Sequence, residues 1–205
     1  KFIGTLGAGN DVLRITSTGM LTDATDAING GDGTDMLLVN AAVFAVTAEM
    51  AKVSSFETLV AGGAGTYDLD NLASITTLVA GGFDESVYGP RYWWDPAAGS
   101  VIDNKTGNSA VVFSDVKAGT ALVVNDSNSA SVSYALKTST ATDALTVTLG
   151  NANTAATNVT LATLTATSIE TLTINSITKT ATVVDTNTIT NLVAAGTVKL
   201  VLQGA

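Results

Sequence analysis

The sequence predicts an all-β protein built as a parallel β-solenoid, or β-roll, with glycine–aspartate calcium loops and an irregular aromatic insertion. Two observations predict this fold: a phrase of the chain is repeated, and apolar and polar residues alternate in short segments. The phrase SFETLVAGG at 55–63 returns 19 residues later as SITTLVAGG at 74–82. A period near 20 residues suits one coil of a solenoid, because each coil stacks its strands on the previous coil and shares its core.

Alternation of apolar and polar residues indicates the strands of such coils. Residues 145–149 and 159–164 place Leu and Val on one face and Thr or Ala on the other, which is the pattern of half-buried strands. Weaker copies of the repeated phrase occur at 168–174 and, about 20 residues on, at 189–194. An antiparallel sandwich of similar short strands is the alternative fold.

Composition divides the chain into three parts. Glycine and acidic residues are concentrated in the first half, and threonine in the second. We therefore expect a calcium-loop β-roll at 1–87, an aromatic insertion loop at 88–110 and a Thr-rich solenoid at 111–205 that continues the first part. Residues 41–53, rich in Ala, are expected to form a short helix or a wide loop between coils. Both ends lie in or beside patterned segments, so we expect a piece of a longer protein.

Composition and charge also exclude classes of function. The 205 residues include no His and no Cys, which excludes zinc fingers, disulfide frameworks and catalytic triads with an imidazole base. Eighteen acidic against nine basic residues give a net charge of −9, which disfavours nucleic acid as a partner and favours divalent cations. No stretch approaches the roughly eighteen unbroken apolar residues of a membrane helix, so we expect no membrane insertion.

The most specific motif is the loop GGDGTDMLL at 30–38, which fits the nonapeptide GGxGxDxUx at every defined position. Its glycines allow positive φ and aim carbonyl oxygens into the turn, Asp35 supplies a carboxylate, and Leu37 packs inward. An incomplete copy, GAGNDVL at 7–13, aligns Asp11 with Asp35. Since calcium in such rolls lies between loops of successive turns, we expect calcium between these two. The candidate ligands are Gly7, Gly9, Asn10, Asp11, Gly31, Asp32, Gly33 and Asp35.

Two later loops keep the glycines and lose the ligand. In 62–69 Tyr67 stands at the aspartate position, and the loop at 81–85 is more degenerate still. These loops are either tight turns with solvated carboxylates or further metal sites, and the sequence leaves both interpretations open.

An aromatic segment interrupts the repeats at 88–96 (YGPRYWWDP), which holds both tryptophans and both prolines and therefore predicts a loop. Trp, Tyr and Arg dominate the energetics of protein interfaces, and aromatic faces also stack on sugars. We expect either a contact surface for a second subunit or a glycan, or a plug over an open edge of the solenoid. The candidate contact residues are Arg91, Tyr92, Trp93 and Trp94.

Four segments, taken in order, carry a resemblance to a known family: LGAGNDVL at 6–13, NGGDGTDMLLVN at 29–40, FETLVAG at 56–62 and IETLTI at 169–174. Together they resemble the RTX-type surface-layer (S-layer) proteins of Gram-negative bacteria. The resemblance implies a calcium-stabilised β-solenoid, type I secretion through a C-terminal signal, and assembly into a two-dimensional coat on the bacterial cell surface. It carries the calcium loops over to Asp11, Asp32 and Asp35, whereas Tyr67 departs from the family's pattern.

The sequence therefore predicts a structural subunit, or a segment of one, of a self-assembling extracellular surface layer that is stabilised by calcium. The alternative is an extracellular adhesin or filament whose 88–96 loop binds glycan or a partner subunit. An enzyme such as a polysaccharide lyase would need a base and a cluster of basic residues, and the nine basic residues are scattered. We therefore expect no enzymatic activity; Asp84, Glu85 and Arg91 form the one cluster that such chemistry would use.

Overall fold

The computed structural model describes residues 3–15, 17–80, 110–125, 128–150, 158–177 and 186–204. In these ranges the even-numbered strands form one eight-stranded sheet, the front sheet, and the odd-numbered strands form back sheets of three and five strands. The front strands are β2 Val12–Ile15, β4 Met36–Val39, β6 Thr58–Ala61, β8 Thr77–Ala80, β10 Ala121–Val124, β12 Ala144–Leu149, β14 Thr171–Ser176 and β16 Lys199–Gly204. The back strands are β1 Ile3–Thr5, β3 Ala27–Asn29, β5 Val53–Ser54, β7 Gly65–Asp68, β9 Val111–Val116, β11 Asn128–Leu136, β13 Thr160–Ala166 and β15 Thr188–Val193.

One back strand and the following front strand make one coil. Every strand pairing in the described ranges is parallel and joins successive coils. This confirms the all-β parallel solenoid and excludes the antiparallel sandwich. The described part of the chain also contains two short helices, α1 Ala41–Phe44 and α2 Thr47–Met50, and one 3-10 turn at Leu69–Asn71.

A column of aliphatic side chains forms the front half of the core, because parallel pairing in register stacks equivalent residues on one another. Its residues are fully buried from Leu37 to Val147. The column closes the space between front and back sheets along the whole described solenoid and ends at Leu202, whose side chain is 73% exposed. The aligned residues are Leu13, Leu37, Leu59, Leu78, Leu122, Val147, Ile174 and Leu202.

Aromatic side chains occupy the back half of the core. Tyr67 of β7 pairs with Phe113 of β9, which pairs with Tyr134 of β11, and all three rings are buried. The Tyr67 ring lies 5.7 Å from that of Phe113 and 5.3 Å from that of Phe44 in α1. These tilted arrangements suit the quadrupoles of aromatic rings. Helix α1 therefore packs against the first strand of the five-stranded back sheet.

The repeats of the sequence are partly confirmed. The copies at 55–63 and 74–82 occupy equivalent positions where the structure describes both, up to residue 80, since Leu59 pairs with Leu78. The alignment of 168–174 with 189–194 is wrong, because β14 lies in the front sheet and β15 in the back sheet. Strand β14 pairs instead with β16, so Leu172 matches Leu200. Two strands of similar composition occur in each coil, and composition does not distinguish them.

Side-chain alternation differs between the two halves of the front sheet. In β12 the outward residues Thr146 and Thr148 are exposed or half-buried, as the alternating pattern predicts. In β4, Met36 and Leu38 point away from the main core and are buried with Val60 and Val79 in a second apolar cluster. A strand that is buried on both faces has a continuous run of apolar residues rather than alternating apolar and polar residues. This explains why the alternating pattern is visible only in the second half of the sequence.

Connections between strands are of two kinds. Those from a back strand to the next front strand, here called the tight corner, span a few residues each. Those from a front strand to the next back strand contain the long insertions, including α1 and α2. The helix or wide loop expected at 41–53 is thus confirmed as two short helices, the first capped by the Asn40 side chain, which accepts a hydrogen bond from the Val43 N–H.

The expected boundaries at 87 and 110 stay a prediction, since 81–109 lies outside the described residues. No helix within the described ranges is long and apolar enough to cross a membrane.

A buried carboxylate holds the wide turn at 17–26. Glu49 in α2 is 4% exposed and accepts hydrogen bonds from the N–H groups of Gly19 at 2.7 Å and Leu21 at 3.1 Å. Lys52 donates from Nζ to the carbonyl oxygens of Leu21 and Asp23. The N–H donors favour the ionised form and lower the pKa of Glu49 below its usual value.

Truncation in the aliphatic column tests the core. We expect Leu59→Ala to lower the free energy of unfolding by about 2–5 kcal/mol, because it removes buried methyl groups and leaves a cavity between two coils. Denaturant unfolding measures this loss. The control is Thr146→Ala on the exposed face of β12, for which we expect a change within about 0.5 kcal/mol; equal losses in both variants would contradict the assignment of the column to the core.

Acid titration tests the hydrogen bonds that Glu49 accepts from the wide turn at 17–26. A lowered pKa stabilises the fold above the unfolded-state value, about 4.5 for Glu, and this stability is lost as the pH falls through the lowered folded value. We expect Glu49→Gln to reduce stability near neutral pH and to flatten the acid limb of the stability profile. Denaturant unfolding as a function of pH, with amide exchange at Gly19 and Leu21, measures both effects. An unchanged acid limb, or a matching change in Asp32→Asn, would contradict the assignment.

Candidate metal centre at the tight corner

The two glycine–aspartate loops stack directly on one another. The loop at 6–11 joins β1 to β2, and the loop at 30–35 joins β3 to β4. Because β1 pairs with β3 and β2 pairs with β4, both loops occupy the tight corner of successive coils. The structure thus brings together the residues that the sequence proposes as one site, although Asp11 and Asp35 are 24 positions apart.

Direct hydrogen bonds join the two loops. The Asp32 N–H donates to the Gly7 carbonyl oxygen at 2.9 Å, and the Thr34 N–H donates to Oδ1 of Asn10 at 2.9 Å. The Met36 N–H donates to the Asp11 carbonyl oxygen at 2.8 Å, where the front sheet begins. Asn10 therefore has a structural role here, as an acceptor for the next coil.

Glycine is required where the loops touch. Gly31 has φ of +104°, and a Cβ on it would stand 2.0 Å from the Gly7 carbonyl oxygen. Gly33 has φ of +136°, and its Cβ would stand 2.3 Å from the Gly9 carbonyl oxygen. Both positions combine a backbone conformation that L-residues rarely adopt with a contact that leaves no room for a side chain. These glycines of the nonapeptide thus allow close stacking of the coils.

Asp35 is the centre of the corner. Its side chain is fully buried, and Oδ1 accepts a hydrogen bond from the Asp11 N–H at 2.7 Å. Oδ2 is buried without a hydrogen-bond partner among the residues that the structure describes. A Cβ on Gly30 would stand 2.5 Å from this oxygen and 2.0 Å from the Ser55 carbonyl oxygen. Two acceptor oxygens therefore lie against the same glycine, one in its own coil and one in the next.

A cation suits this arrangement. Burying a carboxylate oxygen without a partner is costly, and a bound cation or a proton removes the cost. Calcium prefers carboxylate and carbonyl oxygens, and both types are present beside Gly30. Within the described ranges no three acidic side chains come together as a metal site, so a calcium ion would depend on Asp35 and main-chain carbonyls. The Asp32 side chain is exposed and that of Asp11 is half-buried.

A glutamate of the next coil also takes part in this corner, although the sequence analysis did not select it as a site residue. Oε2 of Glu57 accepts a hydrogen bond from the Asp35 N–H at 2.8 Å, just as Asp35 accepts one from Asp11. The same arrangement recurs where Oε2 of Glu170 accepts from the Asp143 N–H at 2.8 Å. Hydrogen bonds to charged groups contribute about 1.5–3 kcal/mol each. Each carboxylate therefore fastens its own coil to the preceding one.

A short sequence pattern accompanies each of these hydrogen bonds between a corner N–H and the glutamate of the next coil. Ser55 and Ser168 stand two residues before Glu57 and Glu170, and both have positive φ, +55° and +60°. The residue between, Phe56 or Ile169, is fully buried. The shared pattern SxETL, present at both places, thus specifies a serine at positive φ, a buried apolar side chain and a glutamate that accepts a hydrogen bond from the preceding coil. The repeated phrase carried this signal, but periodicity alone did not assign it a role.

The glycine loop at 62–65 lies elsewhere. It joins front strand β6 to back strand β7, so it does not stack on the two glycine–aspartate loops, and its alignment with them as a third copy is wrong. Tyr67, at the aspartate position, is buried, and its hydroxyl donates to the Gly63 carbonyl oxygen at 2.8 Å. Burial raises the pKa of Tyr67 to about 12, so it remains neutral. The tight-turn interpretation describes this loop.

The remaining candidates lie outside the described residues, because all of them fall within 81–109. They are Arg91, Tyr92, Trp93 and Trp94 of the proposed contact loop, and Asp84 and Glu85 of the proposed catalytic cluster. Comparisons with protein-family models, with curated proteins and with solved structures find no match for this chain. The candidate site at the tight corner is therefore interpreted from its own geometry and from the motifs of the sequence.

A pair of glycine substitutions tests the stacking of the loops. We expect Gly31→Ala to lower the free energy of unfolding by more than about 1 kcal/mol, since the new Cβ meets the Gly7 carbonyl oxygen at positive φ. Gly9→Ala is the matched control, because nothing lies within 4 Å of its Cβ position and its φ is not positive. Denaturant unfolding measures both. Equal tolerance of the two substitutions would show that the loops do not pack as described.

Proposed function

We propose that this chain is a structural segment of a self-assembling extracellular layer on a bacterial cell surface, and that calcium stabilises its solenoid at the tight corner. The observation that carries the calcium part is the buried carboxylate of Asp35, one oxygen of which has no partner among the described residues. The resemblance of the glycine–aspartate loops to RTX-type surface-layer proteins supports the assignment to a surface layer. Secretion by a type I system belongs to the same proposal.

The residues that would hold the ion are Asp35, through Oδ2, and the carbonyl oxygens of the neighbouring loops. Calcium there supplies the positive charge that the buried carboxylate lacks, and oxygen ligands from two coils tie those coils together. The chain's own part is to fix the carboxylate: the Asp11 N–H holds Oδ1 at 2.7 Å. Because Gly30 has no Cβ, Oδ2 and the Ser55 carbonyl oxygen can both lie close to it. Asp32, at the exposed rim, is free to remain hydrated.

Folding would then be linked to the free calcium concentration. A ligand that binds only the folded state stabilises it by RT ln(1 + [L]/Kd), which is about 2.7 kcal/mol at a concentration one hundred times Kd. Calcium is scarce in the cytosol and abundant outside the cell. The linkage would therefore leave the chain less stable before export and favour the stacked coils afterwards. Rigid stacked coils are also the repeating surface that a regular lattice requires.

The proposal is tested by thermal unfolding with millimolar calcium and after chelation. We expect calcium to raise the Tm of the wild-type chain by about 5–10 °C, as a stabilisation of about 2.7 kcal/mol implies for a domain of this size. Asp35→Asn keeps an oxygen for the Asp11 N–H and replaces Oδ2 with an amide group. We therefore expect it to fold without calcium and to show no calcium-dependent shift.

The matched control is Asp143→Asn. Asp143 stands at the equivalent corner position, and its carboxylate oxygens already accept hydrogen bonds from the N–H and hydroxyl of Thr140. We expect this variant to keep the full calcium shift. Electron microscopy of the same samples tests assembly: sheets should form with calcium, disperse on chelation and be absent with Asp35→Asn. A dispersed monomer, equally stable with and without calcium, would refute the proposal and favour the adhesin alternative.

A further inference from the structure

A groove at the tight corner carries an inference that is independent of calcium. Strands β7, β9 and β11 are neighbours in the back sheet, so the turns that follow them lie side by side. The middle turn, at 117–120, is short and closed by a hydrogen bond from the Thr120 N–H to the Lys117 carbonyl oxygen. The flanking turns, at 69–76 and 137–143, are longer. The short turn therefore lies at the bottom of a recess between two higher walls.

The recess has the size of a small ligand. Its volume is about 350 Å³. Adjacent parallel strands lie about 4.8 Å apart, so the backbones of the two walls, which are two strands apart, are separated by roughly 10 Å. Val116 and Ala118 form an apolar floor, and Asp70 and Lys137 stand on the opposite walls. We call this recess the corner groove.

The polar lining of the corner groove is electrically balanced. Two carboxylates, Asp70 and Asp115, and two ammonium groups, Lys117 and Lys137, line it, and the Thr138 hydroxyl lies among them. Hydrogen-bond donors and acceptors are thus mixed around a small apolar floor, in a chain whose overall charge is −9. An anion would gain nothing from this balance and would be repelled by the whole chain. A neutral molecule with several hydroxyl groups matches the lining.

Two features hold these groups in place before any ligand binds. The Lys137 ammonium forms a salt bridge with the Asp70 carboxylate across the groove. Asp115 lies at a β-bulge, where two residues of β9 stand opposite one residue of β11, and its φ is +53°. Non-glycine residues at positive φ are uncommon and are concentrated at bulges and functional sites. The bulge turns the chain of β9 so that Asp115 lines the groove.

We propose that the corner groove binds one neutral saccharide ring. Carboxylates accept hydrogen bonds from sugar hydroxyls, ammonium groups donate to them, and the C–H face of the ring covers Ala118. Because the rim is open and the paired side chains are 56% and 49% exposed, the affinity is in the millimolar range. The site is separate from the aromatic 88–96 segment, and neither calcium binding nor assembly is needed for it.

The test measures binding of D-glucose, D-galactose, D-mannose and N-acetyl-D-glucosamine by saturation-transfer difference NMR and isothermal titration calorimetry, using the full 205-residue chain. We expect at least one of these sugars to bind. Ala118→Phe fills the floor of the groove at an exposed position, and Lys137→Met removes a donor while keeping the length of the side chain. We expect each to weaken binding at least tenfold.

Lys199→Met is the matched control, because Lys199 is an exposed lysine on β16, far along the solenoid from the groove; binding should be unchanged. Circular dichroism and Tm establish that each variant is folded. If Ala118→Phe does not fold, Lys137→Met and Asp70→Asn decide, since breaking an exposed ion pair costs little stability. Binding of none of the four sugars, or equal binding by the groove variants and Lys199→Met, overturns the proposal. A chain that binds sugar without any calcium-dependent shift supports the groove and contradicts only the proposed function.

Discussion

Parallel backbone pairing between successive coils is the constraint on which the rest of this structure depends. Once β4 pairs with β2 and β6 in register, equivalent side chains must stack, because a slip of one residue would turn every inward side chain outward. The leucines at 13, 37, 59 and 78 satisfy this constraint with the same side chain at the same place. The intervals between coils vary, and the pairing absorbs the variation in the connections rather than in the strands.

At the tight corner, the stacking of coils leaves backbone N–H groups that need hydrogen-bond acceptors. As the chain turns from the back sheet into the front sheet, the N–H groups of Asp11, Asp35 and Asp143 are bonded to side chains rather than to backbone carbonyl oxygens. Each is satisfied by a carboxylate from the following coil. A buried N–H group without a partner would cost about as much as a lost hydrogen bond. The acidic residues of the corner are therefore explained first by backbone chemistry, and the proposed calcium site at Asp35 would be an additional role.

Asp35 differs from the other corner carboxylates in its surroundings. Asp143 is surrounded by the N–H and hydroxyl of Thr140, which lower its pKa, whereas Oδ2 of Asp35 faces a glycine and a carbonyl oxygen. The same residue type at the same corner is thus fully partnered in one coil and short of a donor in another. The residues of each turn cause this difference, since Thr140 supplies the donors at Asp143. Turn length produces the corner groove, where one short turn lies between two longer ones. Local variation in a regular solenoid is the source of both candidate sites.

The sequence by itself determined the parallel solenoid, the stacking of 58–60 on 77–79, and the juxtaposition of the loops at 7–13 and 30–38, because each depends on short-range patterns of apolar residues and glycine. It did not determine that 189–194 lies in the back sheet, that the loop at 62–65 turns at the other corner, or that Glu57 fastens Asp35. Nor did it reveal the corner groove, whose walls come from turns more than 60 positions apart in the chain. Only the tertiary structure decided these points, because the partners of a coil's N–H groups and the neighbours of a turn belong to other coils, and connections of variable length hide which residues of those coils come into contact.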